Sequence, residues 1–286
     1  MGKTSIEWTQ NPDGTPGRTW NPVTGCTKVS PGCDHCYAEG IARRFAGSKA
    51  FPRGFDVTLH PERLDAPLRW RKPSVVFVNS MSDLFHADVP DEFIARVWAV
   101  MAATPQHTYQ VLTKRHGRMR SLLASTEFDL AVATAWEQLG SVAGSLLADH
   151  SPPYPLPNVW LGVSAEDQQR ADLRIPALLQ TPAAVRFVSA EPLLGPIDLD
   201  QYLHHQWGER WPREELHWVI VGGESGPGAR LMDPAWGRSL VEQCQAADVA
   251  VFVKQLGSAH GPAKGSDMTT WPEDLRVREY PKETAA

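Results

Sequence analysis

Short runs of β-branched and aromatic residues alternate with stretches whose apolar residues recur every three or four positions. The runs cover residues 75–78, 109–112, 159–163, 185–188, 218–221 and 249–253. They are nearly continuous in Val, Ile, Leu and Phe rather than alternating with polar residues. That pattern predicts strands buried on both faces, as in a parallel sheet. Between them, residues 91–103 place Phe93, Ile94, Val97, Trp98 and Met101 at helical spacing. Asp233 followed by Pro234 reads as an N-cap and first-turn proline of a helix reaching about Ala247. Residues 168–180 form another helix candidate, which Pro176 should kink or end. The long connection over 126–158 should hold a helix over 130–147, followed by the stiff Ser151-Pro152-Pro153-Tyr154-Pro155-Leu156-Pro157 link.

The alternation predicts an α/β fold, a partial or near-complete parallel (β/α) barrel of about six to seven strands. One domain should span 1–257, with a helical and Pro-rich insertion near 126–158. A polar, loosely ordered tail should follow over 258–286. A second irregular stretch, 199–216, carries His204, His205, Trp207 and Trp211, which read as a solvated loop.

Polar signatures gather at one end of the runs. Asn79-Ser80-Met81-Ser82-Asp83 follows the first, Thr113-Lys114-Arg115 the second and Ser164-Ala165-Glu166-Asp167 the third. Ser189-Ala190-Glu191-Pro192, Gly222-Gly223-Glu224-Ser225 and Lys254-Gln255 complete the series. Parallel α/β folds bind ligands at the carboxyl ends of their strands, so six such termini in register outline an active-site rim. At one or two of them the polar residues should merely cap the next helix.

Composition narrows the class. The chain has 286 residues and 42% hydrophobic content, enough for one large α/β domain or two small ones. No apolar run approaches membrane-spanning length. A formal charge of −5 argues against a generally basic coat for nucleic acid, though not against a local basic groove. Scarce cysteines and an N-terminus, Met1 to Ser5, without a signal-peptide pattern point to the reducing cytoplasm.

Three of the four cysteines, Cys26, Cys33 and Cys36, fall in the segment Gly-Cys-Thr-Lys-Val-Ser-Pro-Gly-Cys-Asp-His-Cys-Tyr-Ala-Glu; the fourth is Cys244. Thiolates on a short Gly/Pro loop can converge on one centre. Three of them fill three corners of a cubane iron–sulfur cluster and leave one iron open. The same spacing, completed by His35 or His60, suits a zinc site of three cysteines and one histidine.

The block Trp20-Asn21-Pro22-Val23-Thr24-Gly25-Cys26, with Cys33-x-x-Cys36-Tyr37-Ala38, resembles the cluster loop of radical S-adenosylmethionine enzymes, most of all the spore photoproduct lyase-like branch. In that branch too, a Ser/Thr-rich motif ending in Asp closes one strand and Thr-Lys the next, here Ser80-Met81-Ser82-Asp83 and Thr113-Lys114. The whole chain is similar to the phage-associated three-cysteine-motif family. The phrases Val-Asn-Ser-Met-Ser-Asp-Leu-Phe-His, Leu-Thr-Lys-Arg, Arg-Phe-Val-Ser-Ala-Glu-Pro-Leu-Leu-Gly-Pro and Val-Ile-Val-Gly-Gly-Glu-Ser-Gly-Pro-Gly-Ala-Arg carry that similarity. One departure stands out. The usual radical enzyme has C-x3-C-x2-C, whereas this chain has C-x6-C-x2-C.

The resemblance implies a barrel of the radical S-adenosylmethionine type and a 4Fe–4S cluster on Cys26, Cys33 and Cys36. It also implies S-adenosylmethionine as cofactor and an electron donor such as flavodoxin or ferredoxin. Asp83, with Ser82, would accept from the cofactor's amine, Lys114 would face its carboxylate, and Tyr37 would pack on the cluster or the adenine. Ser164 and Glu191 would line the ribose or substrate, with Lys114 and Glu191 as the candidate catalytic groups. Nucleic acid is the expected substrate class, from that branch and from the basic runs Arg69-Trp70-Arg71-Lys72 and Lys114-Arg115-His116-Gly117-Arg118-Met119-Arg120. Two other classes stay open. One is a non-catalytic zinc or iron–sulfur protein that binds nucleic acid or a protein partner. The other is a metal-free barrel hydrolase using Glu166, Glu191 and Glu224.

Overall fold

A strand that no long apolar run announces opens the sheet. In the computed structural model, β1 (Arg18–Trp20) pairs in parallel with β4 (Val75–Val78), with Trp20 opposite Val78. The residues described are 2–143, 152–203, 215–261 and 263–282, and they divide into two units.

The first unit comprises residues 1–27, 38–161 and 181–184. A two-residue antiparallel pair, β2 (Val23–Thr24) with β3 (Thr58–Leu59), stands apart from the main sheet. Helix α1 (Tyr37–Arg44) follows the cysteine segment. Strand β5 (Thr108–Thr113) lies parallel to β4. Helix α2 (Asp91–Ala102) connects them, ending one residue short of the predicted boundary. Helices α3 (His116–Leu123) and α4 (Thr126–Ala143) follow β5. Helix α4 begins four residues before the expected start, because Ser125 caps it by accepting from the Phe128 amide at 3.2 Å. Its predicted end at Leu147 lies outside the described residues. Trp98 of α2 packs edge-on against both Phe85 and Phe128, so aromatic rings fill the interior between α2 and α4.

The second unit comprises residues 28–37, 162–180 and 185–286. Strands β7 (Val185–Ala190), β8 (Trp218–Gly222) and β9 (Ala250–Gln255) run parallel in that order. Buried Trp218 lies within ring contact of Phe187 and Phe252. Helix α5 (Gln168–Leu179) is capped by Asp167, and α7 (Pro234–Ala246) by Asp233, as its sequence predicts. A short helix, α6 (Asp200–Leu203), completes the unit; His204, His205, Trp207 and Trp211 lie outside the described residues.

Two expectations need correction. Pro176 does not end α5, which runs on to Leu179. The buried side chains of Ala171, Arg174, Ile175 and Leu178 hold the helix on one face, so packing outweighs the one missing N–H. The stretch after Gly257 is anchored rather than loose. Trp271 and Leu275 are buried there, and the Val253 amide bonds the Val277 carbonyl at 2.9 Å.

Strand β6 (Val159–Ser164) completes the hydrogen-bonded order β1-β4-β5-β6-β7-β8-β9. After β1, sequence-successive strands are neighbours, with helices on the crossovers, and β1 and β9 are the edges. The fold is therefore a partial parallel (β/α) barrel.

Candidate functional site

The first unit gathers its polar side chains where β4 and β5 end. Asp83, 7% exposed, accepts at both carboxylate oxygens from the Thr113 hydroxyl, at 2.7 and 2.9 Å. It also accepts from the Phe85 and Lys114 amides, each at 3.0 Å. Asp83, Thr113 and Lys114 thus meet, as the sequence phrases suggest. The carboxylate, however, is already surrounded by protein donors. Ser82 donates to the Val23 carbonyl at 2.9 Å and pairs in a bridge with Gly25, whose amide bonds the Met81 carbonyl at 3.0 Å. Cys26 is the next residue, its amide on the Phe55 carbonyl at 3.1 Å. It lines a cleft of about 520 Å³ with Thr27, Arg53, Phe55, Asp56, Val57, Leu59 and Asp88.

Asn79 opens the polar phrase that follows β4. It is 3% exposed and left-handed at φ 57°. Neither its amide nitrogen nor its amide oxygen meets a protein partner. A buried amide lacking both partners loses about 1–3 kcal/mol per group unless another molecule supplies them. Nothing in the order of residues distinguishes such an asparagine from a turn former.

His86 packs close by, accepting from the Asp88 amide at 3.1 Å, with its other ring nitrogen 2.9 Å from the Thr27 hydroxyl. Burial first, and then the charge of Arg115, lower its pKa. The basic run is largely committed to the fold. Arg115 donates to the Thr27 hydroxyl at 2.7 Å, and Arg118 bonds the His86 and Val89 carbonyls and pairs with Asp91. In the other run, Trp70 lies under the Arg18 guanidinium and against His107, and Arg69 pairs with Asp65.

In the second unit, residues 31–34, which include Cys33, are tied to Glu166 after β6 and to Arg230 beyond β8 by hydrogen bonds and one ion pair. Glu166, fully buried after β6, pairs with Arg174 at 2.9 Å, and Arg174 also bonds the Ser164 carbonyl at 2.8 Å. The Gly32 amide reaches the same carboxylate at 3.4 Å. A Cβ on Gly32 would lie 3.1 Å from that carboxyl carbon, so glycine permits the close approach. Beyond β8, Glu224 is gripped by Arg230, through Nε at 3.0 Å and a terminal nitrogen at 2.5 Å. The same guanidinium donates to the Pro31 carbonyl at 2.9 Å and lies 3.5 Å from Asp34. Burial pushes the Glu224 carboxyl up, but Arg230's hydrogen bonds and charge outweigh it, and the pKa falls below the ordinary value. The phrase Gly-Pro-Gly-Ala-Arg contained Arg230 without hinting that it reaches back to residue 31.

Glu191, following β7, lies 3.0 Å from the Lys254 ammonium and accepts from the Ser189 hydroxyl at 3.2 Å. Gly222 leaves it room, because a Cβ there would lie 2.5 Å from a Glu191 oxygen. Tyr37 has its pKa raised by burial, then by charge at Cys36 and Glu191, which places the three in one neighbourhood. Ser164 is 1% exposed. The Gln255 side chain, 3% exposed, donates to the Gly223 carbonyl at 2.8 Å while its own oxygen lacks a protein partner.

None of the four cysteines forms a disulfide. Cys244 is fully buried on α7, and burial pushes its thiol up to about 12. Cys26, Cys33 and Cys36 are partly exposed, so their donor chemistry suits a metal centre. Among the described residues, no three His, Cys, Asp or Glu side chains already stand as a metal shell. The predicted residues divide between the units. Cys26, Ser82, Asp83 and Lys114 belong to the first, and Cys33, Cys36, Tyr37, Ser164 and Glu191 to the second. Among the described residues, no helix is long and apolar enough to cross a membrane.

No curated protein and no solved structure matches the chain. The model of one family, described as a protein of unknown function (DUF5131), matches residues 3–279, and the chain belongs to that family.

Proposed function

We propose that the chain is an iron–sulfur enzyme of the radical S-adenosylmethionine type, with Cys26, Cys33 and Cys36 as the protein ligands of a 4Fe–4S cluster. One observation carries this reading: each unit presents its cysteines against loops that leave the carboxyl ends of parallel strands. Cys26 lies beside the loop after β4, and Gly32 and Pro31, just before Cys33, are bonded to Glu166 after β6 and to Arg230 beyond β8. When bound and reduced, such a cluster supplies the electron that splits S-adenosylmethionine into methionine and a 5′-deoxyadenosyl radical.

The chain's own residues then have distinct tasks. Asp83 fixes the loop over 79–83 through Thr113, Phe85 and Lys114, and Asn79 offers a buried donor and acceptor to the cofactor's amino-acid end. Lys114 brings a cation to the same strand end for the cofactor carboxylate. Glu191, paired with Lys254 beside Tyr37, is the group positioned to hold or move a proton on the substrate. Nucleic acid is the proposed substrate class, and a small one-electron carrier is the proposed partner.

Anaerobic purification with iron, sulfide and zinc quantitation tests the centre. Four irons and four sulfides per chain, lost in the Cys26→Ala, Cys33→Ala and Cys36→Ala triple variant but kept in Cys244→Ala, are expected. Stoichiometric zinc without iron would instead support the binding-protein reading. Reduced, cluster-loaded protein that releases no 5′-deoxyadenosine with candidate substrates present would remove the enzymatic reading.

A further inference from the structure

Helix α1 and the turn after it present an exposed basic and aromatic surface. Over residues 40–50 every side chain or glycine is exposed except Ala42. This segment contains Arg43, Arg44 and Lys49 and no Asp or Glu, a local charge of +3 in a chain whose total is −5. It also presents large apolar side chains to solvent: Ile41 is 39% exposed and Phe45 50%. These are four residues apart, so they share one face of the turn. The Arg44 guanidinium lies 5.6 Å from the Phe45 ring centroid, a cation stacked on an exposed ring.

The turn itself is anchored. Phe51 is buried, its carbonyl takes the Gly47 amide at 2.9 Å, and the Ser48 amide bonds the Phe45 carbonyl at 3.1 Å. Arg43, its side chain 76% exposed, pairs with Glu39 at 2.5 Å, so it offers a phosphate only the part of its guanidinium that faces solvent. An exposed ring, a stacked guanidinium and the exposed cations Arg44 and Lys49 together suit one occupant: an unpaired polynucleotide, whose bases stack and whose phosphates carry the opposite charge.

We infer that the α1 face of Ile41, Arg44 and Phe45, with Arg43 and Lys49, is a binding platform for single-stranded nucleic acid. This rests on the proposed function only in taking the bound strand as the substrate. Binding itself needs no cluster. The platform lies on the helix that begins directly after Cys36 in the chain. It also replaces the 114–120 run, whose Arg115 and Arg118 are held by the fold, as the main surface for phosphates.

The test is fluorescence anisotropy of the full-length chain with a labelled single-stranded 12-mer, the matching duplex, and inorganic polyphosphate as a base-free polyanion. The single strand should bind more tightly than the duplex. Phe45→Ala should weaken oligonucleotide binding about tenfold and leave polyphosphate binding unchanged. Arg43→Ala, Arg44→Ala and Lys49→Ala together should reduce the salt slope of log affinity by about two, as expected for three phosphate contacts on a single strand. All variants should keep the wild-type iron and sulfide content and melting temperature. Oligonucleotide binding that is absent, or indifferent to Phe45→Ala and to the triple change, overturns the inference; tighter binding to an acidic peptide than to the oligonucleotide would assign the face to a protein. A chain that binds the strand but contains no iron would leave the platform standing and sink the cluster, and the reverse result would do the opposite.

Discussion

Removing the Arg230 guanidinium should loosen the cysteine loop and strand a buried carboxylate at once. In Arg230→Ala, Glu224, 4% exposed, keeps only the backbone amide of residue 230, which donates at 2.9 Å. Two charge-assisted bonds to the carboxylate and the bond to the Pro31 carbonyl disappear. Breaking a fully buried pair by deleting one partner takes about 3–5 kcal/mol. The Arg230 side chain retains 33% exposure, so solvent screening reduces the expected loss to roughly 2 kcal/mol. An unfolding entropy of about 2.1 cal/mol/K per residue over 286 residues makes that a fall of about 3–4 °C in Tm.

The pH dependence has a definite sign. The folded Glu224 pKa is depressed, so its stabilisation is complete above the unfolded value, near 4.3. It is lost as pH falls through the lower folded value. The variant's deficit should therefore be full at pH 7 and shrink below about pH 4. Combining Arg230→Met with Glu224→Gln removes the stranded charge and should recover about half of the loss. Scanning calorimetry at pH 7 and pH 3.5 decides. A variant melting within 1 °C of wild type at pH 7, or an equal deficit at both pH values, refutes the reasoning.

Asp83→Ala should lower Tm by about 5 °C, since it strips the Thr113 hydroxyl and two amides of their common acceptor at roughly 1 kcal/mol each; Asp83→Asn, retaining one oxygen, should lose less, as thermal melts will show. In metal-free native protein at pH 8, a disulfide reagent should react quickly with three thiols, while the fourth, buried Cys244 with its thiol near 12, reacts only after denaturation; four fast thiols would contradict the burial. Pro176→Ala should raise stability by about 1–2 kcal/mol in a denaturant melt, because it restores the N–H that α5 lacks while the packed face is untouched.

Much of the architecture was legible because a strand buried on both faces leaves an unbroken apolar run. All six such runs became strands, with the polar phrases at their carboxyl ends. Strand β1 escaped because Arg18, Thr19 and Trp20 give only three residues and one fully buried side chain. The continuation of α5 past Pro176 was not legible, because local propensity knows nothing of the buried face holding the helix. The rim pairs were invisible for a different reason: Arg230 lies 199 residues from the Pro31 carbonyl it binds, and sequence spacing carries no signal over such a distance. Asn79 is one polar residue among several in its phrase, and only its buried, unpartnered side chain sets it apart.

The room that Gly222 leaves for Glu191 has a consequence for the family's history. An alanine methyl at 222 would sit 2.5 Å from the carboxylate oxygen, too close for either to remain in place. The two positions, 31 residues apart in the chain, are therefore not free to drift independently. Descendants that gain a side chain at 222 should shorten the acid at 191 to aspartate or abandon it, together with its lysine at 254. Covariation among relatives at 191, 222 and 254 would thus record whether this carboxylate was kept for its chemistry or merely for its fit.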